Sequence, residues 1–220
     1  LLYSTKTKEA AVIDIGGELS EILAVIENNA LDLKYIFFTH GHFDHVMGYP
    51  AFAELFPDAR VAMHRGDYDD MFTQRDWIVN NMPPEFVERL RNNPTGRIMY
   101  DFEPESIGRP DLWLEGGETF QIGGNVIRTV HTPGHSRGSM CYQVNDRLFS
   151  GDLLFDGTVG RTDLQNSSFE ELVVSVRGLY RNLPDQTIVH PGHGPSTTIG
   201  AEKEENAVVT IDTFYVDRAR

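Results

Sequence analysis

Apolar and polar positions along the chain form blocks that predict both helices and strands. Between residues 18 and 30 the apolar positions recur every three or four residues, which is the spacing of an amphipathic helix. The short apolar run 35–38 is instead typical of a buried strand. Predicted helices lie at 18–30, at 50–56, at 169–183 and from about Ala201. Predicted strands lie at 35–39, 60–63, 119–122, 126–130, 140–144, 147–149 and 187–190.

The pattern is interrupted between residues 64 and 113. The segments 80–84 and 92–94 are rich in asparagine and proline and break any long periodicity, so this part is predicted to be irregular. A long segment of this kind inside a compact domain is often a lid or a recognition element beside a ligand site. The alternative is a surface insertion that packs on the rest of the domain and contacts no substrate.

The composition is that of an ordinary globular protein with an acidic bias. The chain has 220 residues, and 19 basic against 33 acidic residues give a formal net charge of −14. Nucleic-acid binding needs a basic stripe, and lysine and arginine form no cluster here, so it is not expected. No apolar run is long enough to span a membrane, and no membrane association is expected.

The single cysteine bears on the compartment and on the chemistry. Cys141 has no partner for an internal disulfide, which fits a reducing compartment, and we expect the cytoplasm. It lies in an alternating, strand-like stretch, so we interpret it as a small buried residue and not as a nucleophile. The sequence begins at Leu1 without a methionine, and a targeting segment before that point would not be visible in these residues.

Four potential metal ligands are crowded into residues 39–45, which read Thr-His-Gly-His-Phe-Asp-His. His40, His42, Asp44 and His45 offer imidazole nitrogens and carboxylate oxygens, the usual ligands of zinc and iron. Burying these groups so close together is costly unless they coordinate a cation. Residues i and i+2 of an extended segment face the same way, so His40 and His42 can bind one ion. If the chain turns after His42, Asp44 and His45 can bind a second ion nearby.

Three later segments repeat one arrangement, in which an apolar strand leads to a small residue and then to a potential ligand. They end in Pro133-Gly134-His135, Gly151-Asp152 and Pro191-Gly192-His193. Glycine allows a sharp turn and a close approach to an ion. The predicted ligand sets are His40, His42 and His135 for one ion, and Asp44, His45 and His193 for the other, with Asp152 as a bridge.

Together these motifs resemble the metallo-β-lactamase superfamily. The resemblance rests on His-Gly-His-Phe-Asp-His followed in order by Pro-Gly-His, Gly-Asp and Pro-Gly-His-Gly, and it extends from Val12 to Pro195. It implies an α/β fold of the four-layer αββα sandwich type. In that fold 1–220 would form a single domain, with the segment at about 64–113 as an insertion or lid and a further strand preceding Leu1.

Within the superfamily, residues 151–155 followed by Gly160-Arg161-Thr162-Asp163-Leu164 are similar to the short glyoxalase II-like hydrolases. That likeness implies a binuclear metallo-hydrolase in which a metal-bound hydroxide cleaves a thioester such as S-D-lactoylglutathione. Asp44 and Asp152 would be the catalytic carboxylates. The cofactors would be two divalent ions, zinc first, with iron or manganese as alternatives. The expected partner is a small-molecule thioester, and the protein would be a monomer or a homodimer.

Other functions stay open. Persulfide dioxygenases carry a similar Gly-Arg-Thr-Asp segment, so a mononuclear iron dioxygenase is an alternative. A hydrolase of another ester, a lactone or a phosphodiester on the same fold is a second alternative. A non-catalytic binding module is a third, which the intact set of seven ligands disfavours. The longer glyoxalase II enzymes bind glutathione with a C-terminal helical domain, and we expect this protein to lack a counterpart of it. Either Arg161 and the segment 64–113 take over recognition, or the thiol is not glutathione.

A few residues outside the ligand set have two interpretations. Arg161 either binds the thiol portion of the substrate, as the resemblance implies, or forms an ion pair with Asp163. Asp14 is either an N-cap or turn residue or, as the resemblance implies, a support behind the ligand segment. Three further histidines lie beside strand ends and outside the motifs, and we interpret them as structural residues or as partners that orient the ligands. They are His64, His131 and His190.

Overall fold

The computed structural model describes residues 1–211 and has the mixed α/β architecture that the sequence predicts. The strands are β1 Leu2–Tyr3, β2 Glu9–Ile13, β3 Asp32–Phe37, β4 Arg60–His64, β5 Leu112–Leu114, β6 Thr119–Ile122, β7 Asn125–His131, β8 Met140–Val144, β9 Arg147–Gly151, β10 Leu154–Phe155, β11 Thr158–Val159, β12 Ile188–Pro191 and β13 Thr197–Thr198. The helices are α1 Ser20–Asn29, α2 Phe43–Val46, α3 Tyr49–Leu55, α4 Arg65–Asn81, α5 Pro84–Asn92, α6 Pro94–Asp101, α7 Phe169–Asn182 and α8 Ile199–Glu205, with a 3₁₀ helix at Pro104–Ile107.

The strands form two main sheets. The first has the order β1-β2-β3-β4-β5, in which β2 to β5 are parallel. The second has the order β13-β12-β9-β8-β7-β6, in which β6 to β9 are antiparallel and β12 runs parallel to β9. A separate two-stranded ribbon joins β10 to β11. The carboxyl ends of β3, β7, β9 and β12 each lead into one of the predicted ligand segments.

Alternating side chains sort the buried residues into three layers of core. Ile36 packs with α1 and α3 on the outer face of the first sheet, whereas its neighbour Phe37 faces the second sheet and contacts Tyr142. On the far side, α7 packs through Leu172 and Val176 against the second sheet. The order is therefore helices, sheet, sheet, helices, which is the predicted four-layer sandwich.

Most predicted elements are confirmed within one to three residues at their ends. Helix α7 begins as predicted, because the hydroxyl of Ser168 accepts a hydrogen bond from the N–H of Glu171 and caps the first turn. The last predicted helix, α8, begins at Ile199, and residues 212–220 lie outside the described part of the chain. No helix within residues 1–211 has the length and apolar composition needed to cross a membrane.

The prediction that 64–113 is irregular is wrong for most of the segment. It folds into α4, α5, α6, the 3₁₀ helix and β5. The prolines interpreted as breaks stand at helix starts, since Pro84 opens α5 and Pro94 opens α6. Proline is favoured in the first turn because its fixed φ suits a helix and its missing N–H has no partner to lose there. The breaks therefore separate helices from one another.

Candidate metal centre

The ends of four strands position the seven predicted ligands. After β3 the chain bends at Thr39, and His42, with an extended backbone, precedes the short helix α2, which carries Asp44 and His45. His135 lies in the connection from β7 to β8, Asp152 follows β9, and His193 follows β12. The carbonyl of Thr39 accepts a hydrogen bond of 2.7 Å from the N–H of Met140 in β8, which ties the two sheets together beside the ligands.

The structure brings all seven side chains together. Their potential ligand atoms form three groups, each within 4.8 Å, namely His40, His42 and His135; Asp44, His45 and His193; and His40, His45 and Asp152. The first two groups match the predicted sets for two ions. Asp152 lies between them, because its carboxylate oxygens are 3.4 Å from Nε2 of His45, 3.7 Å from Nε2 of His135 and 3.6 Å from Nε2 of His193. This position suits a bridging ligand.

The chemistry of the donors fits a divalent cation. Nε2 of His40, Nε2 of His45 and Oδ1 of Asp152 are buried and have no hydrogen-bond partner among the described residues. Such atoms carry a large desolvation cost unless something satisfies them, and imidazole nitrogen with carboxylate oxygen is a set that zinc and iron accept. Burial, aided by the neighbouring histidines, lowers the pKa of His40 and His42 well below the ordinary value. Both rings are therefore held neutral, the form that binds a metal.

The buried ligands are oriented by contacts behind them. Nδ1 of His40 lies 2.9 Å from the hydroxyl of Thr39, and Nδ1 of His135 lies 2.8 Å from the carbonyl of Arg161. Oδ2 of Asp14 lies 2.9 Å from Nδ1 of His45, which confirms its expected place behind the ligand segment. Burial disfavours the charged form of His45, but the carboxylates of Asp14 and Asp152 outweigh it and raise its pKa well above the ordinary value. These contacts leave the opposite nitrogen of each ring facing the centre.

One buried carboxylate was not predicted from the sequence. Asp67, in the first turn of α4, accepts hydrogen bonds from the N–H of Gly41, the N–H of Gly138 and the hydroxyl of Ser136, at 2.9, 2.6 and 2.7 Å. Gly41 stands between two ligands, and Ser136 follows His135. Asp67 thus joins two ligand loops that belong to different sheets. An acidic residue in the first turn of a helix was the available signal, and it is too common to single one out.

Among the described residues, two clefts of more than 100 Å³ open onto the ligands from different sides. The first, of about 180 Å³, contacts His42 and His135 and is walled by α4, α5 and α6, so the segment 64–113 does border the ligand cluster. The second, of about 230 Å³, lies beside His45 and His193 and is more polar. His193 is the most open ligand, with 57% of its side chain exposed, whereas His40 is almost fully buried.

Arg161 forms the ion pair with Asp163 that one of its two interpretations predicts. Its guanidinium donates two hydrogen bonds to the carboxylate of Asp163, at 2.6 and 2.8 Å, and these bonds raise the pKa of Arg161 and lower that of Asp163. Arg161 also lines the first cleft, with about half of its side chain exposed. The ion pair fixes the guanidinium at the rim of the cleft and leaves it accessible to a ligand.

The remaining singled-out residues lie outside the cluster. His64 stacks on His131 with ring centroids 4.5 Å apart, and Nε2 of His131 lies 2.9 Å from the carbonyl of Arg137. His190 lies 2.8 Å from the hydroxyl of Ser196. Their described contacts are structural. Cys141 is fully buried in β8, and burial raises the pKa of its thiol to about 12, which confirms it as a core residue.

Comparison with known proteins agrees with this geometry. The family model described as Metallo-beta-lactamase superfamily matches residues 1–185. The chain is similar to hydroxyacylglutathione hydrolase GloC of Haemophilus influenzae, with 31% identity over 212 residues that cover 90% of this chain and 86% of the relative. Since the family match ends at residue 185, the place of His193 among the ligands rests on the geometry.

Two solved structures are also similar. The crystal structure of BLEG-1, described as a B3 metallo-beta-lactamase, has 33% identity and a TM-score of 0.72, and the alignment covers 95% of this chain and 92% of that one. The crystal structure of TTHA1623 in a di-iron-bound form has 33% identity and a TM-score of 0.67, with 89% and 87% of the two chains covered. Both likenesses extend over nearly the whole chain.

Proposed function

Because the chain belongs to the metallo-β-lactamase superfamily and is a metallo-hydrolase of that group, we propose that it hydrolyses thioesters at a centre for two divalent ions. The observation that carries the proposal is the position of Asp152 between two three-residue ligand groups. The similarity to hydroxyacylglutathione hydrolase GloC makes S-D-lactoylglutathione the first substrate to test. The metal is zinc in this proposal, and the similarity to a di-iron structure keeps iron as the alternative.

Each of the two ions would have its own set of three ligands. His40, His42 and His135 would hold one ion, Asp44, His45 and His193 the other, and Asp152 would contact both. Two bound cations supply a water of lowered pKa and polarise the carbonyl of a bound ester or thioester.

The carboxylates then position the reacting water. Asp44 borders both clefts, and its Oδ2 lies 3.3 Å from Nε2 of His193, so it is placed to accept a hydrogen bond from a water at the ligand cluster. Asp152 shares this task from the buried side. Both are proposed as catalytic residues. We further propose that Arg161, at the rim of the first cleft, binds the thiol portion of the substrate, and that the helices α4 to α6 act as its lid.

The chemistry needs no side-chain nucleophile. Cys141 is fully buried, lines neither of the two clefts and keeps its proton, so attack by water is the reaction that the described residues support. A single cysteine without a disulfide partner also supports the cytoplasm as the proposed location.

The experiment is hydrolysis of S-D-lactoylglutathione by protein loaded with zinc, with iron or with manganese, and a chelator-treated sample as the control. Turnover that stops on chelation and returns with metal supports the proposal. Absence of turnover on every thioester in samples with two bound ions overturns it. Oxygen uptake by the iron-loaded protein with glutathione persulfide then tests the dioxygenase alternative.

A further inference from the structure

The first cleft has walls that a small, hydroxylated acyl group would not use. Its wall residues are largely aromatic or aliphatic, and include Phe43, Trp77, Ile78, Phe86, Leu90 and Met99. They come from the ligand segment and from the helices α4, α5 and α6. The cleft also contacts His42, Asp44, His135 and Asp152, so a substrate group bound inside it would lie beside the ligand cluster.

Two polar residues of the helical wall of this cleft, Arg75 and Gln74, are largely engaged by other groups of the protein. Arg75 donates to the carbonyl of Phe102 and lies 3.2 Å from the carboxylate of Glu103, and its guanidinium packs over the ring of Tyr100. The amide of Gln74 is also engaged, because it accepts from the N–H of Phe43 and donates to the carbonyl of Gly41. The interior therefore offers apolar surface more than it offers charge to a ligand. Arg161, also ion-paired, is half exposed and lies at the rim.

The size of the cleft sets the size of the group. A dry apolar cavity of about 150 Å³ in a protein holds one benzene ring. At about 180 Å³, this cleft has room for one aromatic ring or a chain of similar volume. A lactoyl group would fill only a fraction of that space and would leave apolar walls in contact with water.

Resting on the proposed function, we infer that the cleft receives the acyl group of the substrate, and that this group is uncharged, apolar and about as large as a phenylacetyl or hexanoyl group. The thiol portion then lies at the rim beside Arg161, where charge is tolerated. Thioesters with apolar acyl groups are the preferred substrate class, ahead of hydroxyacyl thioesters. Arg75 Nε and Gln165 Oε1, in the same wall, have no hydrogen-bond partner among the described residues, so the test includes a hydroxyacyl substrate that would use them.

The test compares kcat/KM for the S-phenylacetyl, S-hexanoyl, S-acetyl and S-D-lactoyl thioesters of N-acetylcysteamine, all with the metal-loaded protein. We expect the two apolar thioesters to exceed the acetyl thioester by at least about tenfold, the discrimination that one or two buried methylenes give. The kcat/KM of the two apolar thioesters should also exceed that of S-D-lactoyl-N-acetylcysteamine. Equal kcat/KM values, or a higher value for the lactoyl substrate, overturn the inference that the cleft receives an apolar acyl group. They leave the proposed function standing. No hydrolysis of any of the four overturns the proposed function itself.

Matched variants test whether the first cleft causes the preference for apolar acyl groups. Ile78→Trp and Leu90→Trp fill the cleft and should reduce the ratio of phenylacetyl to acetyl kcat/KM about tenfold. Ile98→Trp makes the same change as the first variant on α6, at a residue that is 61% exposed and outside the cleft, and should leave the ratio unchanged. If the first two variants fold and keep the wild-type ratio, the cleft is not the acyl site.

Calorimetry on chelator-treated protein tests the cleft without turnover. S-phenylacetyl-N-acetylcysteamine should bind more tightly than the acetyl analogue and with a negative heat-capacity change, since apolar surface is buried. Binding should weaken about tenfold in Ile78→Trp, in line with the expected change in kcat/KM. Equal affinity for the two analogues contradicts the inference.

Discussion

Oδ2 of Asp14 lies 2.9 Å from Nδ1 of His45, and the same carboxylate accepts hydrogen bonds from the N–H and the hydroxyl of Thr39. Asp14, which follows β2, therefore orients the ligand His45 and also holds Thr39, the residue before the ligand His40. Asp14→Asn keeps the size of the side chain and removes its charge. We expect about a 10–100-fold loss of zinc affinity in a folded protein, the usual effect of losing a charged partner behind a ligand. Competition with a chromogenic chelator measures it.

The matched control for Asp14→Asn is Asp58→Asn, the same change at an exposed position away from the ligands. Equal zinc affinity in the two variants would contradict the orienting role of Asp14.

Removing a ligand should cost more than removing its support. His42→Ala and Asp152→Ala are expected to lower metal affinity and thioesterase activity by more than about 100-fold, above the loss typical of an outer partner. Plasma emission spectroscopy counts the bound ions, and circular dichroism checks the fold. His131→Ala, which removes a histidine bonded to the carbonyl of Arg137 and stacked on His64, serves as the control. Full activity in either ligand variant would refute the assignment.

Gly192 allows two ligands to approach the backbone. A Cβ at this position would lie 2.3 Å from Oδ1 of Asp152 and 2.7 Å from Cε1 of His45, closer than side chains tolerate. Gly192→Ala should therefore displace the bridge and abolish binding of two ions. Gly178→Ala, in α7 with nothing within 4 Å of the added Cβ, should instead raise the free energy of unfolding by about 0.5–1 kcal/mol. Metal content and urea denaturation separate the two outcomes.

Asp67 predicts a pH dependence of stability. Burial raises the pKa of its carboxyl from 3.8 to about 6, against three hydrogen bonds that lower it. The folded chain then binds the proton more tightly than the unfolded chain, so the stability that protonation of Asp67 contributes is fully present below about pH 4 and is lost as the pH rises through about 6.

Asp67→Asn removes that titration. The stability difference, wild type minus variant, should fall as the pH is raised from about 4 to about 6, as measured by urea denaturation of chelator-treated protein. Asp69→Asn, an exposed change on the same helix, is the control and should show no such trend. If the stability difference between wild type and Asp67→Asn does not change over this pH range, the raised pKa of Asp67 is contradicted.

Cys141 should be unreactive in the folded protein. Because burial raises the pKa of its thiol from 9.0 to about 12, the thiolate fraction at pH 8 falls by about 1000-fold. As the only cysteine, it gives an unambiguous signal with a chromogenic disulfide reagent. We expect slow reaction in the native protein and rapid reaction in denaturant, and comparable rates would contradict the burial of β8.

The ligand segments were predictable because each one joins a local strand pattern to a local chemical motif. The apolar run before His40 marks β3, and the glycines before His135, Asp152 and His193 mark sharp turns. The role of Asp67 was not predictable. It contacts Gly41 and Ser136, 26 and 69 positions away, and only the packing of α4 between two loops brings them together.

Helix α4 was missed for a different reason. Only Asp67, Met71 and Gln74 of the 17 residues of α4 are buried, so the helix shows no clear apolar stripe. Its inner residues are partly polar because they serve the ligand loops. Helix α4 therefore lacks the periodic pattern by which a core helix is recognised.

The ligands come from both sheets of the sandwich. His40, His42, Asp44 and His45 follow a strand of the first sheet, whereas His135, Asp152 and His193 follow strands of the second. Bound ions would link the two halves of the chain. A ligand that binds only the folded state raises the free energy of unfolding by about 4 kcal/mol when its free concentration is a thousand times its dissociation constant. A cell starved of the metal would then lose the protein to proteolysis as well as its activity, so that its abundance would follow metal supply.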